Sequence, residues 1–491
     1  MGSPWESAER AESLSRLAFS YPRLLEPDVD WLWASWHYEG RPSVGHHSTP
    51  WPTVSIPMPN PFFAAVTAEP NPLMILPFAL MLLAIALMPF VNLHWWERHF
   101  PKVAVGLGAV TTVYYVFYLG NSGRMLHVAH EYVSFIALIG SLFVVAGGIH
   151  IDVKGEAKPW VNCLFLFIGA VLANFIGTTG ASMLLIRPWI RMNKYRITAF
   201  HIVFFIFIVS NVGGCLTPIG DPPLFLGYLK GVPFWWVLQK CWIAGAIVVA
   251  GLIAIFYVLD RRNFLRAPQE VREEETQKEI WKVEGWRNVA FLFLILAAVF
   301  IKDPIGMREV LMVWAAVASW FATPERVHEA NAFTFHPIRE VAWLFVGIFA
   351  TMVPALDYLE VHANELGLDS EMKFFWLTGV LSGALDNAPT YLTFLAAAMG
   401  LHDLSLNDPA HVRQLVATHD HELIAISLGA VFFGAMTYIG NGPNFMVKSI
   451  AEQAKVKTPS FFAYLLKYAL PILIPLMVLI SILFFSRWRL F

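Results

Sequence analysis

Thr217-Pro218-Ile219-Gly220-Asp221-Pro222-Pro223-Leu224-Phe225 is a mostly apolar stretch that no continuous helix can contain. Pro218, Pro222 and Pro223 carry no N–H, and Gly213, Gly214 and Gly220 tolerate dihedrals closed to other residues, so a helix entering at 197 must break here. The pattern returns once. A shift of 220 residues lays it over Thr437-Tyr438-Ile439-Gly440-Asn441-Gly442-Pro443-Asn444-Phe445, with five of nine positions identical and Asp221 over Asn441. A shift of 209 residues lays Glu131 over Glu340 and Gly177-Thr178 over Asp386-Asn387. Chance likeness between apolar helices rarely repeats such a string in register with two further landmarks.

The composition places these segments in a bilayer. Of 491 residues, 57% are hydrophobic and 14% are charged, against roughly 25% charged in soluble proteins. A water-soluble globule is excluded. With 34 basic and 36 acidic residues, no net field draws the chain to a polyanion, and nucleic-acid binding drops out. The 39 Phe, 19 Trp and 32 Gly fit a bundle with interfacial aromatics and close helix packing. Cys163, Cys215 and Cys241 lie in apolar stretches without a CxxC pair. They read as small hydrophobes, not as a disulfide or zinc framework. Residues 1 to 70 show no apolar core ahead of a cleavage site and read as a tail.

Spanning about 30 Å of hydrocarbon takes about 20 apolar residues. Ten stretches qualify: 73 to 93, 102 to 120, 131 to 150, 197 to 226, 233 to 258, 287 to 302, 309 to 322, 340 to 357, 422 to 446 and 460 to 485. Two more, 160 to 186 and 372 to 399, are interrupted by Asn174 to Gly180 and by Asp386 to Pro389, and read as re-entrant hairpins. Polar, non-helical backbone at membrane depth survives only where protein or a water-filled cavity satisfies it. The loops 94 to 102, 151 to 159, 187 to 196, 259 to 287, 322 to 339 and 446 to 459 hold 20 Lys plus Arg. That excess, with Arg187, Arg191, Lys194 and Arg196 crowded together, marks them as cytoplasmic.

Each half then holds five crossings and one hairpin. An odd number of crossings forces the second half to enter from the other side. The expected fold class is an all-α polytopic membrane protein of two inverted repeats of five transmembrane helices, each with a re-entrant hairpin and a broken helix. Its parts are a tail (1 to 70), repeat 1 (71 to 258), a cytoplasmic linker (259 to 286) and repeat 2 (287 to 491). Inverted repeats whose broken helices meet at midplane are the signature of secondary transporters.

The broken segments carry the chemistry. Freed carbonyls and a half-helix carboxyl end, with oxygens of Asn211, Thr217, Gly220 and Asp221, suit a hard cation such as Na⁺. Thr437, Gly440, Asn441 and Asn444 offer a similar set. The hairpin tips complete two cages with Asn174, Thr178 and Thr179, and with Asp386, Asn387 and Thr390. Asp221 and Asp386 are the acidic residues of these segments. Ionising a carboxylate at membrane depth is costly, so H⁺ and Na⁺ can compete for one oxygen pair. The structural alternatives are a cap for Asp386 and a turn residue for Asp221. Glu131 and Glu340 open their spans, where a first-turn carboxylate favours the helix dipole. His411, His419, Asp420, His421 and Glu422 resemble a metal set in composition, but their spacing is irregular and they read as a solvated outer loop.

These motifs resemble the ion transporter superfamily, which holds divalent-anion/sodium symporters, citrate transporters, arsenite pumps and sodium/proton antiporters. Nearest in look is the NhaD-type antiporter and "putative citrate transport" group. The matching stretches are Leu76-Pro77-Phe78 to Ala86-Leu87-Met88-Pro89 with Trp96-Glu97, Glu131-Tyr132 to Gly147-Gly148-Ile149, Asn211-Val212-Gly213-Gly214 to Pro223, and Leu385-Asp386-Asn387-Ala388-Pro389-Thr390-Tyr391. The resemblance covers about residues 71 to 485. It implies a moving transport domain of hairpins and broken helices, a scaffold that is often a homodimer, and Na⁺ held at Asn174, Thr178, Thr217, Asp221, Asp386, Asn387, Thr437 and Asn441. Symporter tips carry Ser-Asn-Thr triplets that hold substrate carboxylates. Here they read Asn174-Phe175-Ile176-Gly177-Thr178-Thr179 and Asp386-Asn387-Ala388-Pro389-Thr390, without Lys or Arg.

The expectation is a sodium/proton antiporter of the bacterial inner membrane working by alternating access, in contact with lipid and small inorganic cations. It needs no cofactor beyond Na⁺ and H⁺ as transported or coupling ions, and Asp221 and Asp386 ligate the Na⁺. The alternative is a cation-coupled citrate or dicarboxylate carrier. An enzyme would need a nucleophile, metal or cofactor constellation, and the spans show no such spacing.

Overall fold

In the computed structural model the apolar stretches are helices, three of them folded back, at Asn92, at Gly177 and at Leu385 and Asp386. The structure describes residues 69–154, 158–266, 280–301, 303–486 and 490. The expected tail therefore lies outside them except for its last two residues, as does 267–279 of the expected linker.

The first helix, α1 (Leu76–Val113), contains Pro89 and Pro101 and leaves helical dihedrals at Asn92, with φ −157° and ψ 86°. Asn71 N–H donates to the Tyr114 hydroxyl at 2.9 Å, so the two ends meet and α1 is a folded-back pair of spans. The expected loop at 94 to 102 is helical. Asn121 caps α2 (Ser122–Gly147) by accepting from Arg124 N–H. The strand β1 (His150–Lys154) follows.

α3 (Pro159–Met192) turns at Gly177, whose φ of +72° is open to glycine but strained for other residues. Phe165 and Trp189 stack 5.5 Å apart and Asn162 donates to Asn193 at 2.8 Å. Both pairs straddle Gly177, so α3 is a hairpin. α4 (Ala199–Ile208) starts in a Thr198/His201 capping box, and α5 (Pro222–Lys230) ends at Gly231 in the left-handed region, φ +118°. Between them the chain unwinds. α6 (Trp236–Arg266) and the strand β2 (Ile280–Glu284) complete this half.

The second half has α7 (Asn288–Ala298), α8 (Met307–Ala322), the short α9 (Glu325–Ala330) and α10 (His336–His362). α11 (Glu371–Ala384) and α12 (Asn387–Leu401) form the second hairpin, turning at Leu385 and Asp386. α13 (Pro409–Thr418) leads into α14 (Asp420–Phe433), which unwinds before α15 (Gly442–Gln453). The last helix, α16, runs Phe461–Phe485.

Among the described residues, six helices have the length and apolarity to cross a membrane, or seven if α13 and α14 with its extension to Met436, bent by 100°, form one span. The count falls short of ten because α1 folds two spans into one helix and the broken spans are split. α7, with 11 residues, is about 16 Å long at 1.5 Å per residue.

Small residues let the halves interlock. A Cβ on Gly347 of α10 would lie 2.8 Å from Ala104 Cα, and one on Gly108 would lie 3.1 Å from Ala350 Cβ. Such close backbone approach maximises dispersion contact where lipid supplies no hydrophobic drive. On one face β1 and β2 pair antiparallel, with His150 opposite Glu284. Asn288 donates to Gly148 O at 2.7 Å beside them. These bonds set the loop after α2 against the segment that enters α7.

Several charged groups inside the bundle are paired. Arg196, in the basic loop expected to be cytoplasmic, is buried against Asp260, whose carboxylate also accepts from Asn162 at 2.8 Å and contacts His201 at 3.0 Å. Arg124 bonds Asp357 at 2.8 Å, as does Tyr115. Lys230, at the end of α5, meets Glu131 of α2 at 2.7 Å. Burying an ion is expensive, and good pairing is what offsets it.

Candidate functional site

Both broken helices restart at a proline-containing first turn, after Asp221 and after Asn441. Each of these stands at a helix N-cap in extended conformation, yet neither side chain caps its own helix. Both side chains are therefore available to the interior.

There they meet. Asp221 is fully buried and accepts three hydrogen bonds: from Thr178 Oγ1 to Oδ1 at 2.9 Å, from Asn441 Nδ2 to Oδ1 at 2.9 Å, and from Asn387 Nδ2 to Oδ2 at 2.6 Å. Thr178 follows the tip of the first hairpin, and Asn387 opens the second arm of the second. Four segments thus converge on one carboxylate. Among the described residues, no Lys, Arg or His forms an ion pair with Asp221. Helix amino-terminal ends at Thr178, Pro222, Asn387 and Gly442 supply partial positive charge instead. One acceptor is left over: Asn387 Oδ1 is buried with no hydrogen-bond donor.

The two halves build this site with equivalent contacts. Thr217 Oγ1 donates to Asn174 O at 2.7 Å, and Thr437 Oγ1 donates to Gly383 O at 2.8 Å. Each threonine oxygen then accepts from the glycine three residues on, Gly220 or Gly440, at 3.1 Å. Thr178 N–H bonds Gly220 O at 2.8 Å, and Asn387 N–H bonds Gly440 O at 3.2 Å. The offsets of 209 and 220 relate contacts as well as letters.

The freed carbonyls are largely taken by asparagine amides. Asn174 donates to Gly213 O at 2.6 Å, and its own Oδ1 accepts from Leu216 N–H. Asn444 donates to Gly434 O and Thr437 O at 2.8 and 2.9 Å. Asn211 donates to Asn444 Oδ1 at 2.7 Å and accepts from Asn441 at 3.1 Å. Satisfying these buried backbone groups is worth more than leaving them open. In place of two separate carbonyl cages, the structure shows one cluster about Asp221, braced by this asparagine network.

Asp386 and Thr390 stand apart from the cluster in their bonding. Asp386 is half-buried and caps α12, accepting from Ala388 N–H at 3.0 Å, while Thr390 bonds back to Asp386 O at 2.8 Å. Thr179 lines a cleft together with Gly177, Thr178, Pro218, Asp221, Leu138 and Phe225. Glu131 pairs with Lys230, whereas Glu340 is 4.0 Å from His336, so the aligned glutamates have different surroundings. Lys230 drew no notice in the sequence, where only its proximity to the broken segment could have flagged it.

Of the polar outer set, His421 lies 4.0 Å from Asp420 and His411 Nδ1 accepts from Ser405 N–H, while His419 and Glu422 are joined by His402. Sequence spacing conceals this trio because the helix α13 loops the chain out between its members.

A family described as "Putative citrate transport" matches residues 68–485, and the chain belongs to that family. A 46 kDa membrane protein of Mycobacterium leprae (strain TN) is 25% identical over 318 residues, covering 61% of this chain and 72% of the relative. The protein is an integral, multi-pass membrane transporter of the secondary class, and not an enzyme.

Proposed function

We propose that this transporter exchanges Na⁺ for H⁺ across the plasma membrane, the inner membrane of a bacterial cell, with Asp221 as the shared site. One observation carries the reading. A carboxylate buried at the meeting of both hairpins and both broken helices has only neutral hydrogen-bond donors around it, with an unpartnered amide oxygen, Asn387 Oδ1, alongside. A buried charge without a counter-ion costs several kcal/mol, and taking up either a proton or a cation removes that cost. Two such ligands competing for one site are exchanged, not carried together.

Na⁺ asks for oxygen ligands. Asp221, Asn387 Oδ1 and Thr178 Oγ1 supply them, and rotating the Asn441 amide by half a turn adds a fourth. Asp386, half-buried at the second tip, adds negative charge without taking part in these bonds. The hairpins and broken helices move as a unit against α1, α2, α8 and α10, with the two halves in inverted orientation, so that Asp221 faces each side in turn.

The family description supports a second reading, cation-coupled uptake of citrate or a dicarboxylate, in which the cation bound at Asp221 offsets substrate charge. Proteoliposomes separate the two. With a pH-sensitive dye inside, external Na⁺ enters in exchange for H⁺ and alkalinises the lumen without any organic anion under the first reading. Labelled citrate entering only with a cation gradient, and no Na⁺-driven pH change in its absence, would replace the first reading with the second.

A further inference from the structure

His402 follows α12, His419 precedes α14, and Glu422 lies in the first turn of α14. The His402 Nε2 atom is 3.0 Å from each carboxylate oxygen of Glu422. The His402 and His419 rings stack with centroids 3.5 Å apart and planes 15° from parallel. One donor atom from each of the three residues lies within 4.8 Å of the other two. All three are half-buried.

We propose that His402, His419 and Glu422 bind a divalent transition-metal ion of the zinc class, separate from the transported ion. A salt bridge accounts for His402 against Glu422. His419 brings a second nitrogen to the same place, within 4.8 Å of the other two donor atoms, and a turn of its stacked ring about the Cβ–Cγ bond aims that nitrogen at an ion shared with His402 and Glu422. Two neutral imidazoles beside one carboxylate form the donor set of three-ligand zinc sites, with water in the fourth position. Nitrogen donors favour Zn²⁺, Co²⁺ or Ni²⁺ over Mg²⁺ and Ca²⁺, which prefer oxygen alone. The ion closes the chain from 402 to 419 and clips the end of α12 to the start of α14. The adjacent ion pair of Lys240 with Asp420 at 2.8 Å tethers the same helix to α6. The far ends of these two segments carry Asn387 and lead to Asn441, so the clip holds the second hairpin against the broken helix at the end away from Asp221.

The test uses the full-length protein in lipid nanodiscs, free of any polyhistidine tag, stripped with EDTA and titrated with CoCl₂ and then ZnCl₂. The chain has 16 His, so a second protein carrying His402→Gln and His419→Gln is run beside it. The expected result is visible ligand-field absorption of four-coordinate Co²⁺ saturating at one equivalent, displaced by Zn²⁺ but not by Mg²⁺. Zn²⁺ should also raise the melting temperature. Both effects should be lost in the double variant. If that variant does not fold, Glu422→Gln with weakened Co²⁺ binding and an altered spectrum gives the same support. No saturable Co²⁺ binding by the unmodified protein, or equal binding by the variants, overturns the site.

Discussion

Asn441 Nδ2 donates to Asp221 Oδ1 at 2.9 Å, and the two residues, 220 positions apart, occupy the same place in the two halves of the chain. The repeated motif thus touches itself at the one position where its copies differ in charge. One copy supplies the carboxylate and the other the neutral donor. Asp221→Asn keeps the shape and removes the charge, so Na⁺-driven pH change in proteoliposomes is expected to fall to that of empty vesicles. Wild-type exchange in this variant would exclude Asp221 as the shared site.

Thr178 and Asn387 each give Asp221 one hydrogen bond, from opposite hairpins. A bond to a charged group is worth about 1.5–3 kcal/mol. Thr178→Val and Asn387→Ala should therefore change apparent Na⁺ affinity by roughly 10- to 100-fold. Measured half-saturation values within a factor of two of wild type would place both side chains outside ion binding.

Competition for one carboxylate fixes the sign of the pH dependence. Below the pH at which the site holds a proton half the time, each further unit of acid should raise the half-saturating Na⁺ concentration about tenfold, as for any pair of mutually exclusive ligands. Saturating Na⁺ should restore the rate. A half-saturation value independent of pH, or an acid loss of rate that Na⁺ cannot reverse, contradicts a shared site.

Asp386 combines a cap with a charge, and two substitutions separate them. Asn is as good an N-cap as Asp, whereas Ala costs about 1 kcal/mol. Asp386→Asn should leave thermal stability unchanged and reduce exchange, because it takes negative charge from the second hairpin tip. Exchange at the wild-type rate in Asp386→Asn would leave this residue only its capping role at Ala388 N–H.

The Glu131 and Lys230 pair bridges α2 and α5 at 2.7 Å in the interior. Glu131 also has His127 at 3.2 Å, but removing one member of the buried pair still takes away the main counter-charge of the other at a cost of up to about 3–5 kcal/mol, while removing both does not. Glu131→Gln and Lys230→Met should each lower the melting temperature, and the double variant should recover much of the loss. Additive losses would show that the two charges do not support one another.

Much of this architecture was legible because Pro, Gly and Asp cannot continue an apolar helix. The breaks at Thr217 to Pro223 and at Thr437 to Pro443, and the turn at Gly177, follow from backbone chemistry alone. Thr178, Asp221, Asn387 and Asn441 could be named as site residues on that basis. Their convergence on one carboxylate could not, because it depends on how far the two halves interpenetrate. Nor could the fate of the freed carbonyls, which the amides of Asn174 and Asn444 occupy. Arg196 reads in the sequence only as one of four basic loop residues, because its partner Asp260 lies 64 residues away. His402 was invisible for the same reason, since a partner brought from outside the local sequence leaves no periodic trace.

The antiparallel ladder between β1 and β2, reinforced by Asn288 on Gly148 O, ties the loop between α2 and the first hairpin to the segment that enters α7. Main-chain pairing of this kind yields only by peeling, so those two connections travel together or stay still together. Under the proposed alternating access, a covalent staple across this seam is expected to leave exchange intact, whereas a staple from α2 or α10 to either hairpin is expected to stop it.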